Sequence, residues 1–117
     1  NKWTTNPIKC YSCESTWKGP DSKDTNNCDR PFNPNGIVTV TTTKGKKNAC
    51  SIIQRHAQFG DIAIPGQPLD TRNSIIRNAT NSGCESGNFH TWGIVQESWT
   101  VYCCFTDYCN DDSLLKQ

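Results

Sequence analysis

Two histidines and eight cysteines are the residues of this chain whose chemistry goes beyond packing and solvation. Acid–base or metal chemistry asks for imidazoles at a working spacing, such as H-x-x-x-H or H-E-x-x-H, and His56 and His90 stand far apart in separate segments. No G-x-S-x-G elbow and no Gly-rich phosphate loop occurs. The histidines therefore read as surface or packing residues, and the chain as a non-enzyme without cofactor or metal. Cys10-x-x-Cys13 has the spacing of a redox or zinc motif, but the cysteines that would complete it, Cys103 and Cys104, are adjacent and badly placed for a tetrahedral site. What remains is cysteine used as cross-link.

Composition supports that use. The chain has 117 residues, 33% of them apolar, and a mean hydropathy of −0.71. One domain of this size and polarity buries little core, and disulfides are the usual substitute in an oxidising, extracellular setting. The chain contains no methionine, so it reads as a processed product from which any signal peptide has been removed. No apolar run reaches membrane-spanning length. A net charge of +1 gives no footprint for nucleic acid, and Lys44-Gly45-Lys46-Lys47, the basic cluster, reads as a solvated turn.

The elements that must place these cysteines are short strands. Ile8–Cys13 alternates as a first strand with Cys10 and Cys13 on opposite faces, and a polar excursion follows from Glu14 to Asn27. Residues 29–36 are turn-rich. Ile37–Thr43 is a β-branched run that fits a pleated surface. Ala49–Ala57 and Ser74–Asn78 read as two strands around a long Gly- and Pro-rich loop, Gln58–Asn73. Phe89–Val95 and Ser98–Cys104 form the last hairpin, turning near Gln96-Glu97. No segment has a trustworthy helical period.

The chain end concentrates the pattern. Tyr102–Asn110 reads Y-C-C-F-T-D-Y-C-N, and on an extended segment Cys103 and Cys104 point to opposite faces and need different partners. Spacing alone leaves many pairings open. C-C-x4-C-N here, with C-Y-S-C at Cys10–Cys13, resembles the lymphocyte-antigen/urokinase-receptor (LU) three-finger domain family, and the resemblance spans Lys9 to Asn110. It implies an all-β, snake-toxin-like three-finger fold whose bridges cluster in a palm, with Cys10 paired to Cys50, Cys13 to Cys28, Cys84 to Cys103 and Cys104 to Cys109. It also implies that Asn110 caps the palm through its side-chain amide. LU domains usually carry one further bridge that ties the second finger to the segment before it. This chain has no cysteine between Cys28 and Cys50, and Ile75-Ile76-Arg77-Asn78 stands close to where the returning strand's cysteine is expected.

These readings divide the chain into a leader (1–7), a three-finger domain (8–110) and a C-terminal tail (111–117). Asn78-Ala79-Thr80 fits the N-glycosylation sequon. Tyr11, Trp99, Tyr102 and Phe105, beside the cysteine-bearing strands, read as packing residues. Phe59, Phe89 and Trp92 lie nearer loops, and Ile62 and Ile64 sit in a loop tip. These five are the candidate contacts for a protein partner. The resemblance implies a cell-surface glycoprotein held by a glycosylphosphatidylinositol (GPI) anchor, with the small residues from Asn110 to Ser113 able to host it once an apolar precursor tail is cleaved. Such a protein would bind another protein in adhesion, trafficking or receptor and channel modulation. The alternatives are a secreted toxin-like ligand and the ectodomain of a transforming-growth-factor-type receptor.

Overall fold

The computed structural model describes residues 3–18, 26–59, 70–93 and 95–116. Among these residues six strands form one antiparallel sheet: β1 (Lys9–Lys18), β2 (Val38–Thr41), β3 (Ala49–Phe59), β4 (Asp70–Thr80), β5 (Gly87–Thr91) and β6 (Val95–Cys104), in the order β2-β1-β4-β3-β6-β5. A short 3-10 turn, η1 (Asp112–Lys116), closes the described chain. The sheet is elongated, with extents of 53 × 29 × 22 Å, because its strands run far beyond the bridged end.

β1 serves two neighbours in succession. Lys9–Ser12 pair with β2, and from Cys13 to Lys18 the strand switches to β4. The first strand thus runs well past Cys13, where the sequence suggested a polar excursion. Ser15 and Trp17 alternate with Glu14 and Thr16, and this period places Ser15 in the interior. The β3–β4 hairpin is likewise longer than expected, paired from Ala49↔Thr80 to Phe59↔Asp70, so Thr71–Asn73 belong to a strand. The last hairpin turns after Thr91, ahead of the expected Gln96-Glu97, which lie in β6. Gly93 sits at φ 138°, a conformation that neither Gln96 nor Glu97 accepts cheaply, and this fixes the turn.

The bridged end of the sheet holds the apolar interior. Ile8, Cys10 and Cys50 form one buried cluster against Ala79, Cys104 and Cys109, while Ile52, Ile75 and Leu114 form a second against Trp17, Tyr102 and Leu115. The four disulfides join Cys10 to Cys50, Cys13 to Cys28, Cys84 to Cys103 and Cys104 to Cys109, and no free cysteine remains. Leu114 shows that residues 111–116 are no loose tail: η1 packs its one buried side chain onto β3 and β4. Five residues are too few for a periodic signal, which is why the sequence did not reveal it. The leader also lies on the domain. Thr4 and Asn48 exchange backbone hydrogen bonds of 2.8 and 2.9 Å, and the Lys47 ammonium sits 4.7 Å from the Trp3 ring centre.

Arg77 was missed by sequence reasoning and is the largest fully buried side chain among the described residues. Its Nε donates to the Cys28 carbonyl at 2.8 Å, one terminal nitrogen to the Asn110 carbonyl at 3.0 Å, and the other to Asp112 Oδ1 at 2.8 Å. The second carboxylate oxygen of Asp112 accepts from the Phe32 backbone N–H at 2.8 Å, and the Phe32 ring lies 4.2 Å from the guanidinium carbon. A planar fork with five donors suits three acceptors in different directions, which a lysine does not. Arg77 therefore ties β4 to the segment after Cys28 and to η1, about where the resemblance leads one to expect a covalent tie.

Candidate binding surfaces

Alternation along the paired strands sorts the side chains onto two faces. The front face bears Trp17, Asn73, Ile75, Gln54, His56, Ser98 and Thr100, which are register neighbours across β1, β4, β3 and β6. With Asp29 and Arg30 from the segment after Cys28 they line an open cavity of ≈ 240 Å³. Ile75 and Asp29 are buried, and the remaining lining is amide, hydroxyl, imidazole and guanidinium around one indole. His56 Nδ1 is 2.7 Å from Asn73 Oδ1, and Ser98 lies between His56 and His90 in the strand register. Trp17 and Arg30 were not among the sequence candidates. The spacing of Trp17 from Cys13 and Ser15 was the available signal for Trp17.

The back face bears Ile76, Ile53 and Val101 in one row and Ser74, Arg55, Trp99 and Phe89 in the next. Phe89 is 36% exposed and stacks on Trp99 at a centroid distance of 6.3 Å, its ring lying against Gly87. Arg55 and Glu97 form an ion pair on this side. Trp92, in the β5–β6 turn, is 80% exposed and meets His90 edge-on at 5.0 Å. The sequence candidates thus separate. Phe89 and Trp92 share one hairpin, Phe59 ends β3 opposite Val95 with its side chain outside the described residues, and Ile62 and Ile64 lie outside them altogether.

The cysteine sulfurs of Cys50, Cys104 and Cys109 lie within 4.8 Å of one another, the tightest cluster of metal-ligand types among the described residues. All three are in disulfides, so none offers a thiolate. Among the described residues no helix is long and apolar enough to cross a membrane. Four bridges and no free thiol fit an oxidising, extracellular location.

Asn110 is fully buried at the bridged end of the sheet. Its Oδ1 accepts from the Tyr11 N–H at 3.0 Å, and its Nδ2 donates to the carbonyls of Tyr11 and Ser51 at 3.0 and 3.1 Å. One amide thus joins β1 to β3. Asn110→Asp keeps the shape but turns a carboxylate oxygen on two carbonyls, and should cost at least as much as Asn110→Ala, about 2–4 kcal/mol from the buried groups left unpaired. Urea unfolding checks this, and an Asn110→Asp protein of unchanged midpoint would contradict the role.

No family model, no curated protein and no solved structure matches this chain.

Proposed function

We propose that this chain is an LU-type three-finger domain that acts outside the cell as a non-enzymatic protein-binding module, attached to the surface by a GPI anchor. The observation that carries the reading is Trp92, an almost fully exposed indole in the turn of a hairpin whose far end is riveted at Cys84–Cys103. Exposed aromatics on rigid supports are the residues from which protein interfaces draw most of their affinity. The C-Y-S-C and C-C-x4-C-N motifs, and the clustering of the bridges at one end of long strands, support the family part of the reading.

An anchor must respect the palm. Attachment at Asn110 to Ser113 would sever Leu114, which is buried against Ile52 and Ile75. The attachment residue on this reading lies beyond Leu114.

Titration of labelled domain onto intact cells tests the binding site. Trp92→Ala should weaken saturable binding by about tenfold or more, while the urea midpoint stays put because the side chain packs on little else. Unchanged binding would move the contact surface away from this turn.

A further inference from the structure

The sequon and the apolar back face are neighbours. Asn78 stands two residues beyond Ile76 on β4, so the pleat puts both side chains on one side, about 7 Å apart. Ile76, Ile53 and Val101 follow one another across β4, β3 and β6, all half-buried, with strands spaced about 4.8 Å apart. The row ends within the length of two pyranose rings from Asn78. The Asn78 side chain is exposed and already oriented: its Oδ1 accepts from the Ala79 N–H at 2.8 Å, and its Nδ2 has no partner among the described residues.

We propose that Asn78 carries an N-linked glycan whose first two sugars lie along Ile76, Ile53 and Val101, covering the back face and leaving partners the front face and the β5–β6 turn. This rests on the extracellular reading above. In the transfer, Asn78 Nδ2 bonds to the anomeric carbon of an oligosaccharide carried on a polyprenyl pyrophosphate. The carbon–oxygen bond to the pyrophosphate breaks, the pyrophosphate leaves with its electron pair, and Nδ2 gives up one proton. A pyranose has one C–H-rich face that packs on aliphatic side chains while its hydroxyls meet water. An uncovered apolar row of this kind would be an association hazard on a secreted protein.

The test is secretion of the chain from a glycosylating eukaryotic host behind a signal peptide. Intact mass should show a single glycan that Asn78→Gln abolishes. Treating the folded glycoprotein with peptide-N-glycosidase, which leaves aspartate at the site, should raise the fluorescence of a hydrophobic dye several-fold. The double change Ile53→Ser with Ile76→Ser should suppress that rise. A secreted, disulfide-bonded product without glycan overturns the site. A glycoprotein whose dye binding is indifferent to deglycosylation overturns the covering of the face. A chain retained in the cell with free thiols overturns the extracellular reading itself, and the proposal with it.

Discussion

Replacing Arg77 by methionine is expected to destabilise the fold by about 3–5 kcal/mol, the range for removing one partner from a buried ion pair. Methionine keeps much of the stem volume, so the loss is chemical. The Cys28 and Asn110 carbonyls lose charge-assisted donors in a dry site, and Asp112, only one-third exposed, keeps its charge without its cation. Arg77→Lys should fall between, since one ammonium reaches at most part of this set. Pairing Arg77→Met with Asp112→Asn should recover some of the loss, because the stranded carboxylate then disappears. Urea unfolding with all bridges intact reads all three. If Arg77→Met matches the parent, the clamp contributes nothing and Leu114 and Cys13–Cys28 hold η1 and the segment after Cys28 without it. A selective effect is also expected: hydrogen exchange in Arg77→Met should quicken first in η1 and around Phe32, the parts that Arg77 joins to β4.

The strands could be read from the sequence because their alternation is local. β-branched Val38–Thr41 and the cysteine-spaced Lys9–Cys13 announce themselves within a few residues. The ends of strands could not, since Thr71–Asn73 enter β4 only because His56–Gln58 lie opposite, and no short window contains that information. Arg77 shows a deeper limit. An arginine after two isoleucines reads as a solvent-facing residue on a half-buried strand, and its burial is rewarded only by carbonyls and a carboxylate contributed from Cys28, Asn110 and Asp112, far away in the chain. The missing cysteine was noticeable, but nothing local said that a guanidinium occupies the region. The surfaces divide the same way: Phe89 and Trp92 stood out as aromatics near a turn, whereas the front cavity is assembled from residues such as Trp17 and Arg30 that only the β1–β4 register and the course of the chain after Cys28 bring together.

Removing the Cys10–Cys50 bridge as Cys10→Ala with Cys50→Ala should cost about 4 kcal/mol from loop entropy alone, against about 2 for Cys104→Ala with Cys109→Ala. The first bridge closes 40 residues and the second 5. Packing widens the gap, because Cys10 and Cys50 are both fully buried against Ile8, whereas Cys104 and Cys109 are only partly so. The two bridges also touch, Cys50 facing Cys104 across β3 and β6, so removing both should differ from the sum of the separate losses. The damage should begin at the sheet edge. β2 is held to β1 by only four paired residues and the hydrogen bonds between Ile8 and Thr42, whereas β1 itself stays paired to β4 from Cys13 to Lys18. Hydrogen exchange should therefore show β2 and the leader losing protection while the long β3–β4 hairpin keeps it. Equal losses from the two double substitutions, or β3 and β4 opening first, would mean that the wide bridge does not organise the bridged end of the sheet and that the hydrogen-bonded groups around Arg77 and Asn110 do so instead.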